Sequence, residues 1–370
     1  MSVSMSKKRL NLGLDRFSGV YLGILFIIVF SLLSSQFFNM ATFHVIASTQ
    51  STAGIIAIAL LVPMVCEQFD LSVGANANLT GMLAVILQVN EHWSALAAVL
   101  AAIGVGFAVG MVNGFIVVAL RVSSFIATLG VSSVLGAVTI IFTSNITPAA
   151  PTSSGWTNLT QIQVGGFQVV FVYLIALALL AWWLLEFTPA GRYLYAIGGN
   201  KEAARLAGVR VNRWSFLALA LAGGVSGFAG ILYTSLTGPS FTFGAALLLP
   251  GFAAVFLGAT QITPGRFNVW GTLIAIFVLA VGVQGLELLS GATWLSPMFN
   301  GLALIAAVAL AVTRGTRRRK ATRQASVSQL ADDGGPPPPS PGRPLGEESR
   351  RQEENAVAGQ APGGGTIASE

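Results

Sequence analysis

The sequence predicts an all-α, polytopic membrane protein with about ten transmembrane helices and one short polar helix between two of them. Three observations predict it. The 370 residues are 54% hydrophobic and only 9% charged, where a soluble domain carries about a quarter charged residues. Apolar runs of about 20 residues, the length that crosses a bilayer's hydrocarbon core, recur along the chain. Lys and Arg cluster between alternate runs, as positive charge does in a threaded membrane chain. The net charge of +6 is dispersed between spans and therefore predicts no nucleic-acid partner.

Residues 1–16 carry Lys7, Lys8, Arg9 and Arg16 ahead of the first apolar run. No small-residue cleavage site follows, so they read as a cytoplasmic tail. The membrane part, residues 17–313, divides into runs at Phe17–Phe37, His44–Cys66, Leu71–Val89, Trp93–Leu120 and Phe125–Ile146. A Pro/Thr/Ser/Gly-rich segment, Thr147–Gly166, then reads as a loop. Further runs lie at Phe167–Phe187, Trp214–Thr234, Ala245–Thr260, Val269–Leu289 and Trp294–Val312. Residues 314–370 open with Arg317-Arg318-Arg319-Lys320, suited to anionic membrane lipid. They continue as a Pro- and Gly-rich stretch that lacks the apolar residues to bury a core.

Charge tests the threading. With the N-terminus inside and ten spans, all 20 basic residues fall on one side, and none falls in an outer loop. The same threading puts Glu91, His92, Trp93, Trp156 and Trp294 outside, the tryptophans as an interfacial belt. Gly106, Gly110 and Gly114 on one span, and Gly223, Ser226, Gly227 and Gly230 on another, have the spacing that lets helices approach closely.

Polar residues inside a span are costly unless they pair or line a cavity. Asp70, Ser72, Asn76, Asn78 and Thr80 open the third run, and Thr128 lies in the fifth. They are the candidate translocation path. Asp70 is placed as a helix N-cap, and Asn76 and Thr80, four apart, share a face. Pro63 and Pro250 are candidate helix breaks. The threading runs both of their helices in the same direction, so a duplicated element is expected to repeat in parallel.

The polar island between the sixth and seventh spans, residues 188–213, is the other singular stretch. Gly198 and Gly199 read as a break. Asn200 reads as an N-cap, Glu202 as a first-turn anion, and Gly208 as a C-terminal glycine. Lys201, Ala203, Ala204 and Arg205 are helix formers. The helix is too short to be stable alone and needs a surface to dock on.

The sequence has no phosphate-binding Gly-rich loop, nucleophile elbow or His-Glu-x-x-His. No catalytic or metal site is expected. The single Cys66 excludes an internal disulfide.

Glu202-Ala203-Ala204-x-x-x-Gly208 resembles the Glu-Ala-Ala loop of permease subunits of bacterial ABC importers. Gly191–Asn200, Phe69–Gly74 and Phe125–Gly130 resemble the ribose/xylose-type branch. The similarity covers roughly residues 46–312. Ser123-Ser124 replaces the prolines common in the family, and Gln68-Phe69 replaces the usual Gly-Ile. The resemblance implies ATPase-coupling residues at Gly199, Asn200, Lys201, Glu202, Ala203, Ala204, Arg205 and Gly208. It implies no cofactor in this chain, ATP being bound by a partner ATPase subunit. It also implies an external substrate-binding protein, a second permease copy, and a bacterial plasma (inner) membrane with both termini cytoplasmic. The cargo expected is a monosaccharide of the pentose/hexose class, with a nucleoside, polyol or sugar-like signal as alternatives. A self-sufficient secondary carrier is the rival from another class; the lack of a buried acidic relay stands against it.

Overall fold

The computed structural model describes residues 17–292 and 294–310. The tails, 1–16 and 314–370, lie outside the described residues. Apart from one small hairpin the structure is helical. The longer helices are α1 (Ser18–Leu33), α2 (Met40–Val65), α3 (Val73–Val89), α4 (Ala95–Val118), α5 (Ser124–Thr143), α7 (Val169–Phe187), α10 (Val211–Thr237), α11 (Phe243–Gly258), α12 (Val269–Ser290) and α13 (Leu295–Leu310). Of these, α2, α4, α5, α7, α10 and α12 are long and apolar enough to cross a membrane, and the other four are shorter apolar helices. The small elements are α6 (Ser154–Gln161), β1 (Gln163–Val164), β2 (Phe167–Gln168), α8 (Pro189–Gly199) and α9 (Lys201–Leu206).

Caps start and stop the helices where the sequence supplies them. Asn268 Oδ1 accepts from Gly271 N at 2.7 Å to open α12, and Gly291, at φ +64°, closes it. Burial separates centre from rim. Every residue from Ser51 to Val65 is buried, so α2 is apolar all round and runs through the middle. On α4 and α5 large apolar residues such as Leu100, Phe115, Ile126 and Ile141 are exposed, as on a face that meets lipid.

Helix ends sort onto two faces. On one, Glu67, Arg121, Lys201, Arg205 and Asn212 surround a single cavity, and Tyr195 reaches Phe267 and Arg266. Every Lys and Arg among the described residues lies on this basic face or on the polar island that belongs to it. On the opposite face, Ser153 meets Gln88. There Ser235 Oγ donates to the Trp156 carbonyl at 2.8 Å, and the His44 ring stands against Phe167. The glycine stripes pack as their spacing predicts. α4 and α10 run antiparallel, with Gly106 against Gly223, Gly110 against Ala220 and Gly114 against Phe216.

The segment expected to be a plain loop, 147–166, holds α6 and β1. Gly165-Gly166, both at positive φ, turn the chain so that β1 pairs antiparallel with β2, Val164 opposite Phe167. Trp156 leaves the interfacial belt predicted for it. It is 2% exposed and packs among Val85, Val99, Ala102 and Ile231.

The duplication is inverted, not parallel. α3 packs on α10 as α11 packs on α2; α4 packs on α10 as α12 packs on α2; and α3 packs on α4 as α11 packs on α12. The pairing relates α2–α5 to α10–α13, and α2 and α10 start from opposite faces. Three short matches fall in the paired helices, each shifted by one residue from the last: Asp70-Leu71-Ser72-Val73-Gly74-Ala75 with Ser240-Phe241-Thr242-Phe243-Gly244-Ala245, Asn113-Gly114 with Gln284-Gly285, and Ser124-x-x-x-Thr128 with Ser296-x-x-x-Asn300. Pro63 lies in α2 and Pro250 in α11, which are not counterparts, so the two prolines misled the expectation. Pro63 lies in the last turn of α2, where its carbonyl accepts from Cys66 N, Gln68 N and Cys66 Sγ.

α11 lies within two residues of the run expected at Ala245–Thr260. It has 16 residues, about 24 Å at 1.5 Å per residue, and begins beside the first turns of α3 rather than at the far face. Asn78 explains the placement. Its Nδ2 donates to Phe241 O at 2.6 Å, and its Oδ1 accepts from Gly244 N at 2.9 Å. One side chain thus satisfies both a loop carbonyl and a free N–H at the start of α11.

Candidate functional site

Two places concentrate polar chemistry: the island on the basic face and the entry to α3.

The island is two helices, not one. Gly198 and Gly199 are the last turn of α8 rather than a break. Asn200 ends α8 and caps α9, its Oδ1 accepting from Ala203 N at 2.9 Å. The far end of α9 closes with paired bonds, Gly208 N to Arg205 O and Val209 N to Ala204 O, both 3.0 Å, and Gly208 sits at φ +83°. Those are the two bonds of a Schellman termination, and they require the left-handed residue at Gly208. Six residues are thereby held helical by their caps.

α8 fastens the island to the bundle. Leu194 and Ile197 are buried. A Cβ on Gly198 would collide with the carbonyl oxygen of Val65 at the end of α2, whereas one on Gly199 would meet open space. Tyr195 Oη donates to Phe267 O at 2.7 Å. The Arg266 guanidinium lies 3.6 Å from the centre of the Tyr195 ring and pairs with Glu186 at 3.2 Å. Burial pushes the Tyr195 hydroxyl up to about 12, with Arg266 pulling the other way, so it stays a neutral donor. The sequence reads Gly198 as a break and gives Tyr195, Arg266 and Glu186 no site role, because their roles depend on a contact with α2 and with the α11–α12 loop.

α9 divides by face. Ala204 is buried against the bundle, while Ala203, Leu206 and Ala207 point outward. Leu206 is 89% exposed. These three lie at i, i+3 and i+4, an apolar stripe with nothing on it among the described residues. Lys201, Glu202 and Arg205 are exposed beside it, Glu202 and Arg205 pairing at 3.3 Å within the helix. That pair adds little stability in water.

At the entry to α3, Asp70, Ser72, Asn76, Thr80 and Thr128 are all buried and Asn78 is half-buried. Asp70 is not the N-cap; Ser72 holds that position without a side-chain cap bond. Asp70 Oδ1 instead accepts from Ser72 N at 2.9 Å and Ser72 Oγ at 2.6 Å. Asn113 of α4, which sequence reasoning passed over, completes the group. Its Nδ2 donates to Ser72 Oγ at 2.7 Å and lies 3.4 Å from Asp70 Oδ1. A lone Asn in an apolar helix was the available signal. Asn76 Nδ2 donates to Gly223 O and Ser226 Oγ, both 2.8 Å. Thr80 Oγ1 reaches Gly227 O at 3.1 Å. Thr128 Oγ1 accepts from Leu71 N at 2.9 Å, and Ser124 Oγ accepts from Phe69 N at 3.0 Å. The shared face of Asn76 and Thr80 therefore meets α4 and α10.

A bundle of apolar helices with buried polar junctions and a capped helix standing off one face is the architecture of a multi-pass membrane protein. The family model described as branched-chain amino acid transport system / permease component matches residues 42–308. The chain belongs to that family. It is 33% identical over 294 residues to the Ribose import permease protein RbsC of Escherichia coli (strain K12), covering 77% of this chain and 90% of the relative. It is 30% identical over 295 residues to the protein of the same name from Bacillus subtilis (strain 168), covering 79% and 91%. It is 31% identical over 302 residues to the Autoinducer 2 import system permease protein LsrC of Salmonella choleraesuis (strain SC-B67), covering 79% and 85%. No solved structure matches. The chain is a transport component rather than a catalytic enzyme.

Proposed function

We propose that this chain is the membrane-spanning subunit of an ATP-driven ABC importer that carries a monosaccharide of the pentose or hexose class by alternating access. The observation that carries the coupling part of the reading is α9: a helix held by caps at both ends, fastened through α8 to α2 and the α11–α12 loop, with Ala203, Leu206 and Ala207 presented outward. An ATPase subunit docks there and supplies the ATP site; the chain has none of its own. The relatives' names support a sugar cargo. The autoinducer-2 relative keeps a sugar-like signal as the second reading, ahead of a nucleoside or polyol.

In this reading all ten longer helices cross the inner membrane of a bacterium, the four shorter ones by locally thinning the bilayer or by starting within it. The basic face and both termini are cytoplasmic. A substrate-binding protein docks on the opposite face, and a second copy of the chain or a close relative completes the path. Asp70, Ser72, Asn76, Asn78, Thr80 and Thr128 act as the framework of that path, fixing α3 against its neighbours while the solute passes beside it. The pseudo-two-fold halves move as rigid bodies when the docked island is displaced.

The test is Leu206→Asp. Leu206 touches nothing in the bundle, so the variant should insert and melt as the parent does. It should lose ribose uptake and ATPase co-purification in cells carrying the ATPase and binding protein encoded with it. Ordinary uptake without an associated ATPase would move a secondary carrier to the front.

A further inference from the structure

We infer that the cavity between the α2–α3 loop, the α4–α5 loop and α9 binds the phosphate of an anionic membrane lipid. The cavity has a volume of about 680 Å³ and contains Arg121, Lys201 and Arg205, with Glu67 as the lone carboxylate on its wall. The cations come from two separate elements and converge. Arg205 already meets Glu202, but a guanidinium has five N–H donors and that exposed pair uses few of them.

An independent observation lies in the same wall. Ser215 Oγ is 3% exposed and meets the Cys66 sulfur, a weak partner that leaves the hydroxyl able to bond a stronger oxygen acceptor. A buried hydroxyl left this way is costly, and a ligand oxygen would satisfy it. Two non-glycine residues on the rim, Glu67 at φ +60° and Arg121 at φ +58°, also keep a left-handed backbone that such residues adopt at an energetic cost.

The membrane argues for a lipid source. α4 has 24 residues, about 36 Å long, against a hydrocarbon core of about 30 Å. Arg121, just past its end, therefore stands at the headgroups. Phe115, Leu120 and Phe125 around it are more than half exposed and offer an apolar surface for acyl chains. A free phosphate ester would use the cations but not that apolar rim. Lys201 and Arg205 stand on α9, where the ATPase is proposed to dock, so the test varies Arg121 and Ser215, whose failure to affect lipid leaves the import reading standing.

The test uses the full chain, delipidated and placed in phosphatidylcholine nanodiscs with increasing phosphatidylglycerol. Retained lipid is counted by native mass spectrometry. The parent should retain phosphatidylglycerol over phosphatidylcholine by about tenfold, the size given by one or two basic groups at a membrane surface. The basic stretch at 317–320 contributes equally in every variant, so differences report the cavity. Arg121→Gln should reduce the preference several-fold, and Arg121→Lys should keep most of it. Ser215→Ala, which removes a buried, weakly paired hydroxyl and should not harm folding, should weaken retention measurably. Unchanged preference in both Arg121→Gln and Ser215→Ala overturns the inference, as would a cavity filled instead by an acidic protein segment. Full displacement of the lipid by millimolar inorganic phosphate also overturns it, in favour of a soluble anion.

Discussion

Gly74 and Gly244 face each other backbone to backbone, and a Cβ on either would collide with the other's carbonyl oxygen. They occupy matching positions in the first turns of α3 and α11, where the two inverted halves of the bundle meet. The contact is reciprocal, as a pseudo-two-fold axis between them requires. Gly74→Ala or Gly244→Ala should therefore destabilise the protein by about 1–3 kcal/mol, the usual cost of forcing atoms into a packed interface. Gly130→Ala and Gly136→Ala, on α5 with open space around them, should change nothing. Thermal melting in detergent reads the difference. Equal melting temperatures for all four would refute the close contact.

How much of this was legible beforehand depended on the range of the interaction. Apolar runs, one-sided charge and the caps of α9 are local patterns, and a sequence displays them directly. Asn200 and Gly208 behave as their local chemistry requires. The starting depth of α11 was not legible, because Asn78 sets it from 166 residues away. Nor was the inward face of Ala204, since a six-residue helix has no periodicity long enough to reveal which side is buried. The inverted repeat left a trace in Asp70–Ala75 and Ser240–Ala245, but a six-residue match with two identities is visible only once the contacts supply its register. The prolines were a louder signal that happened to mark unrelated positions.

Asp70, Ser72 and Asn113 form one buried hydrogen-bonded group. Removing one member leaves the others unpaired, at about 1–3 kcal/mol per stranded group. Asp70→Ala should lower both melting temperature and uptake. Asp70→Asn, which can still accept from Ser72 N, should harm less. Asn113→Ala should resemble Asp70→Ala in stability. If Asp70→Asn and Asp70→Ala fail alike in uptake while melting like the parent, charge rather than pairing is what the site needs.

Cys66 offers a probe of the basic face. It is buried at the end of α2. A maleimide must reach the sulfur to react, so N-ethylmaleimide at pH 7.5 should leave the native protein unmodified and label it after denaturation in SDS. Rapid native labelling would contradict the burial. In a Cys66→Ser background the orientation itself becomes measurable. An impermeant maleimide applied to intact cells should label Ser154→Cys and spare Lys201→Cys, and the reverse pattern would invert the proposed topology.

The island separates three glycines by mechanism, and coupling can be dissected through them. Gly198 is constrained by space, because its Cα lies against the Val65 carbonyl. Gly208 is constrained by conformation alone, since it sits at φ +83° with nothing within 4 Å of a Cβ. Gly199 carries neither constraint. Gly198→Ala should push α8 off the end of α2, lowering melting temperature and uptake together. Gly208→Val should cost roughly 1–2 kcal/mol of local backbone energy, enough to fray a six-residue helix but not to disturb the bundle. It should cut uptake and ATPase association while the melting temperature holds. Gly208→Asn, which tolerates the left-handed region, should recover part of the loss. Gly199→Ala should behave as the parent. Uptake is measured with labelled ribose, and association by co-purification. A Gly208→Val variant with parental uptake would show that the capped shape of α9 is not what the ATPase recognises, and the force would then have to enter the bundle somewhere other than the island.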